Sequence, residues 1–109
     1  MDQEAVVMDI IVNAGEARSL CFEALACARK QQIAEAKNAL EQAKACLNRA
    51  HLTQTQLIEA DEGEGKVKMT LVMVHAQDHL MTTILAHELA QEMVTLHALR
   101  LEDQQSVKE

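Results

Sequence analysis

Proline, tryptophan and tyrosine are missing from this chain, and phenylalanine occurs once, as Phe22. Without proline, no position is barred from a long helix by a locked φ or a lost amide donor. Glycine is scarce too, at three residues, and the apolar share of 49% is mostly Ala, Leu, Val, Ile and Met. That composition excludes a turn-rich sheet protein and predicts an all-α fold. A core without large aromatics is thin, and a chain of 109 residues leaves much of its surface outside. Both facts favour self-association. The length predicts a single domain over residues 1–109.

Basic charge is also short. Ten Lys and Arg stand against 17 Asp and Glu, a net charge of −7. This argues against nucleic acid and anionic membrane as partners. No apolar run approaches the about 20 residues of a membrane span, and the N-terminus MDQEAVVMDI lacks a basic leader. Cys21, Cys27 and Cys46 are odd in number and lack CxxC spacing. They read as reduced thiols of a cytoplasmic protein.

Three long periodic segments account for nearly all of the chain. Over roughly 3–30, Ile10, Ala14, Ala17, Cys21, Ala24 and Ala28 recur at spacings of four and three, widened by Val6, Val7, Leu20 and Leu25. Over roughly 32–59 the seam is Ile33, Ala36, Leu40, Ala43, Leu47, Ala50, Gln54 and Leu57. Over roughly 66–102 it is Val67, Leu71, Val74, Asp78, Met81, Leu85, Leu89, Met93 or Leu96, and Leu99. These spacings predict helices packed along coiled-coil-like seams. Gln31 and Gln32 mark a hinge, and DEGEGK at 61–66 marks a turn. Its GEGK is not a phosphate-binding loop, because Val67 stands where Ser or Thr belongs and the upstream glycine is absent. The polar tail after Arg100 is expected to fray. Short connections make neighbours antiparallel, so the expected architecture is an up-down-up three-helix bundle.

The seams contain misfits. In VMVHAQDHLM at 72–81, with His75 placed at 0°, Asp78 falls at about −60° and His79 at about +40°. The apolar stripe of that helix spans about −100° to −40°, so Asp78 sits in its middle and His75 at its edge. A buried carboxylate needs relief. A metal ion, Arg18, copies of Asp78 meeting by symmetry, or a local bend that reaches water would each supply it. For His75 and His79 three readings are open. They form one face of a helical metal site resembling HExxH, with His51, His87 or His97 as third ligand. Or one is a nucleophile that accepts and passes on a phosphoryl group. Or they are hydrogen-bonded interface residues. Gln54 lies in the seam of the second helix and needs a buried polar partner. Met69, Met73, Met81 and Met93 read as core filler.

Three stretches, IVNAGEARSL at 11–20, AHLTQTQLIEADEGEGK at 50–66 and KMTLVMVHAQDHLMTTILAHELAQEMVTLH at 68–97, carry a resemblance. The chain resembles the IIA component of the lactose/N,N′-diacetylchitobiose (cellobiose) family of the phosphoenolpyruvate-dependent sugar phosphotransferase system. The EGEGK turn leans toward the chitobiose/cellobiose branch. The resemblance implies a homotrimer and a phosphoryl-accepting His75, the first histidine of HAQDH, acting through Nε2. It implies that Asp78 lies at the trimer axis, where three copies share one Mg2+. The implied partners are the phosphocarrier HPr as donor, a cysteine of the IIB component as acceptor, and the membrane IIC component indirectly. The implied outcome is uptake and phosphorylation of a β-linked disaccharide. On that reading His79 orients His75 or steadies its phosphate, Gln54 and Gln77 donate hydrogen bonds to phosphoryl oxygens, and Met73, Val74 and Leu80 form apolar surroundings.

Overall fold

A computed structural model describes residues 2–108. They form three helices: α1 (Gln3–Arg29), α2 (Ile33–Asp61) and α3 (Leu71–Lys108). The rod measures 63 × 20 × 19 Å. Among the described residues no helix is long and apolar enough to cross a membrane.

Each boundary has a local cause. The Asp2 carboxylate caps α1 by accepting from the amides of Glu4 and Ala5, at 3.1 and 3.4 Å. Its far end closes with a Schellman motif: the Gln31 amide donates to Ala28 O and the Gln32 amide to Cys27 O. That motif needs a left-handed residue, and Gln31 supplies it at φ 64°.

α2 ends on Glu62 at φ 54°, followed by Gly63 and Gly65 at φ 69° and 74°. Glycine meets those two angles without a Cβ clash. The Asp61 carboxylate ties the turn by accepting from the Val67 amide at 2.9 Å and the Gly65 amide at 3.3 Å. This hold keeps residues 66–70 out of the helix. α3 therefore starts at Leu71, five residues later than the pattern predicts. Thr70 Oγ1 caps it, accepting from the Met73 amide at 3.2 Å. The tail does not fray as expected, since α3 continues to Lys108.

The seams of α1 and α2 face the core as predicted. Ile10, Ala14, Ala17, Cys21, Ala24 and Ala28 are buried, as are Ala36, Leu40, Ala43, Leu47, Ala50 and Leu57. The small side chains let the two helices approach closely. Burial also pushes the Cys21 thiol up from its ordinary pKa. A polar clasp crosses the outside of this pair. Arg49 Nε donates to Asn13 Oδ1 at 3.1 Å, and Thr53 Oγ1 donates to Asp9 Oδ2 at 2.6 Å.

α3 does not follow its predicted seam. The residues it turns inward are Met73, Ala76, Leu80, Thr83, His87, Ala90 and Val94. Leu71, Val74, Asp78, Met81, Leu85, Leu89, Met93, Leu96 and Leu99 are exposed. The reason is chemical. The inward face carries alanines, a threonine and a histidine, so it reads as less apolar than the outward one. Its polar groups are satisfied locally: Thr83 Oγ1 donates to His79 O at 2.7 Å, and His87 Nε2 lies 3.0 Å from Leu40 O. A carbonyl only accepts, so that bond places the His87 proton on Nε2. Of the methionines expected to fill the core, Met73 does so, whereas Met69, Met81 and Met93 are exposed.

Candidate functional site

Two α3 residues a turn apart form the centre. His75 is exposed and His79 half-buried. Their rings stack with centroids 6.0 Å apart and planes 10° from parallel. His79 turns toward α1, where helix-interior Gly15 presents no side chain. A Cβ built on Gly15 would stand 3.8 Å from His79 Nε2. The lone glycine in the middle of an otherwise regular helix was the sequence signal for this close approach.

The core face of α3 spans about 60° to 160° on the scale where His75 is 0°. His75 therefore lies on the border between the inward face and the exposed apolar stripe, on the side of α1. Val72 and Val74 beside it are exposed. Met73 and Leu80, expected among its apolar surroundings, are instead buried in the core at 1% and 0% exposure.

Asp78 is not buried in the chain. It is exposed, in the middle of the outward stripe. Its carboxylate has no hydrogen bond or ion pair among the described residues; only its backbone carbonyl is engaged, accepting from Thr82 Oγ1 at 3.0 Å. Arg18 does not relieve it, because that guanidinium lies over the Phe22 ring at 5.4 Å.

Gln54 and Gln77 are brought together, but not at His75. Gln54 Nε2 donates to Gln77 Oε1 at 2.7 Å. Gln77 lies about 160° around α3 from His75. The pair therefore flanks the opposite border of the outward stripe, on the side of α2. Gln54 finds its polar partner in half-buried Gln77, and that partner is neither Asp78 nor a histidine.

The zinc-type reading fails for want of a third ligand. Among the described residues no three His, Cys, Asp or Glu side chains stand close enough to hold a metal ion. His87 is 6% exposed and engaged with Leu40 O; with His51 it lines a cleft between α2 and α3. His97 lies near the other end of the rod, beside Arg100. What remains is an accessible imidazole, supported by a second parallel ring, on the edge of an apolar stripe. That arrangement suits a nucleophile that meets its substrates on the surface of other proteins.

Known proteins resemble this chain in sequence and in fold. Residues 5–98 match the family described as PTS system, Lactose/Cellobiose specific IIA subunit. The N,N′-diacetylchitobiose-specific EIIA component of Escherichia coli K12 is 55% identical over 94 residues, which cover 86% of this chain and 81% of the relative. The crystal structure of the cellobiose-specific enzyme IIA from Bacillus anthracis superposes with a TM-score of 0.87 at 39% identity, covering 94% of each chain. The IIA(chitobiose) subunit of Escherichia coli, solved in solution as a complex with HPr, gives 0.80 at 51% identity over 94% of this chain and 98% of that one. With a family match over most of its length and a relative 55% identical, this chain belongs to the lactose/cellobiose-specific IIA family of the sugar phosphotransferase system.

Proposed function

We propose that this protein is a cytoplasmic phosphoryl carrier, in which His75 takes a phosphoryl group from phospho-HPr and hands it to a cysteine of a IIB component. The membrane IIC component then imports the sugar that IIB phosphorylates. The nearest specificity among the relatives named above is chitobiose, with cellobiose next. The observation that carries this reading is the exposed His75 ring, stacked on His79 within VHAQDH.

The chemistry is a displacement between two imidazoles. The Nε2 lone pair of His75 attacks phosphorus while the donor's P–N bond breaks, and the electron pair of that bond stays on the donor ring. The two nitrogens are similar leaving groups, so transfer runs either way with little driving force. Catalysis is then mainly a matter of positioning. Stacking on His79 restricts rotation of the His75 ring, and His79 itself lies beside Gly15 of α1.

The outward stripe of α3 supports assembly into a homotrimer. So many exposed Leu, Val and Met on one helix face exceed what a stable monomer shows to water. Three copies packed stripe to stripe give the homotrimer, with Asp78 nearest the axis. Three carboxylates there repel one another, and one Mg2+ with oxygen ligands would neutralise them. The free Asp78 carboxylate fits such a role only when copies assemble. Metal analysis of the purified trimer should then find one Mg2+ per three chains. The cation takes no part in transfer.

Assembly also gives Gln54 and Gln77 their role. His75 borders the stripe on one side and the glutamine pair on the other. Around a three-fold axis, those two borders of adjacent copies face each other. The neighbour's Gln54 and Gln77 would then donate hydrogen bonds to phosphoryl oxygens on His75.

The test is intact mass after incubation with phosphoenolpyruvate, enzyme I and HPr. One acid-labile phosphoryl group per chain is expected, absent in His75→Ala and retained in His79→Ala. No mass gain with demonstrably active HPr would overturn the reading.

A further inference from the structure

We propose that the cavity where the end of α3 overhangs the end of α1 is a binding site for a small polyanion carrying phosphate or carboxylate groups. The cavity holds about 410 Å³, within the usual range for small-molecule sites. Arg29 and Gln31 line it from α1 and its connection, and His97, Arg100 and Gln104 line it from α3. Among the described residues no carboxylate does, although the chain has 17 Asp and Glu.

The two arginines stand out by having nothing to do. The chain's other arginines are engaged, Arg49 with Asn13 and Arg18 with the Phe22 ring. Arg29 and Arg100 have no carboxylate within ion-pair distance among the described residues, where Lys66 forms the ion pairs, with Glu62 and Glu64. Two unpaired guanidinium forks facing one cavity match the geometry of phosphate or carboxylate, which each fork grips with two parallel N–H bonds.

A plainer role would be to neutralise the negative end of the α1 dipole. The hydrogen bonds leave little of that work. Cys27 O already accepts from the amides of Lys30 and Gln32, and Ala28 O from that of Gln31. The same bonds pin Gln31 in its left-handed conformation, at the cavity wall. The acidic residues of the α3 tail point elsewhere. On the scale used above, His97, Arg100 and Gln104 lie between about −20° and 40°, while Asp103 lies at about −80° and Glu102 at about 180°.

The cavity is separate from the phosphoryl site. Arg100 is 25 residues beyond His75, about 37 Å along the helix. Arg100 and Gln104 also lie past the part of the chain that matches the family, which stops at residue 98.

The experiment is a titration of the full-length protein followed by NMR of arginine side chains and backbone amides. One arm adds pyrophosphate and the other citrate, at ionic strength held constant with KCl. Saturable shifts confined to residues 28–31 and 97–104 are expected in at least one arm. The lower Kd tells a phosphate ligand from a carboxylate one. Arg100→Gln, an exposed substitution, should weaken binding at least tenfold, and Lys37→Gln less than twofold. Non-saturating shifts spread over all Lys and Arg, or an Arg100→Gln protein that binds like wild type, would overturn the proposal.

Discussion

α3 has two apolar faces, and they differ in kind. The inward face is built of Met73, Ala76, Leu80, Thr83, His87, Ala90 and Val94, a mixture of apolar, small and polar residues closed off by α1 and α2. The outward face is richer in Leu, Val and Met, and none of the described residues covers it: Leu85 is 56% exposed and Leu71 88%. The more hydrophobic face is the one left open. Periodicity therefore marks a surface that must be buried, without saying whether the same molecule or another one buries it. The inward face tolerates Thr83 and His87 because each finds a backbone carbonyl. The outward face carries Asp78, exposed and with no hydrogen-bond or ion-pair partner for its carboxylate among the described residues.

Substitutions on the two faces should separate their roles. The largest effect is expected from Leu85→Glu. Three new carboxylates at a trimer axis would be uncompensated, and sedimentation should find single chains in place of trimers. A variant that stays trimeric would show that the outward stripe is not the assembly surface. Leu80→Ala, on the inward face, should cost about 2–5 kcal/mol in chemical denaturation, as a cavity left in a core does. Its m-value should hold and the protein should remain trimeric when folded. Asp78→Leu should act in the opposite sense. Replacing an unpaired carboxylate in the stripe with an apolar side chain should raise the unfolding free energy by about 1–3 kcal/mol and remove any Mg2+ dependence of stability. A loss of stability would mean that Asp78 is held by favourable contacts in the assembled protein.

Some corrections share one cause. The pattern placed Asp78 among apolar residues correctly, and it inferred burial because it took that stripe for the core. Gln54 stands out as a polar break in its seam and Gln77 enters only through the resemblance, and the two do meet. Helical angles put Gln77 across α3 from His75, a separation that was calculable but carried no meaning until the core face was known. Thr70 as the cap of α3 was also legible in principle, since a threonine precedes LVMV. The hold of Asp61 on Val67 was not, because it joins residues six apart through a turn of unusual backbone angles.

By itself the sequence determined three helices, two hinges, the inward seams of α1 and α2, and the VHAQDH constellation. These follow from backbone propensity, helical period and turn chemistry, which act over a few residues. Only the tertiary structure decided which side of α3 meets its neighbours, that Gln54 pairs with Gln77, and that Gly15 lies beneath His79. Those depend on where one helix axis lies relative to another. A period of 3.6 residues fixes angles around its own axis and carries no information about what stands across from it.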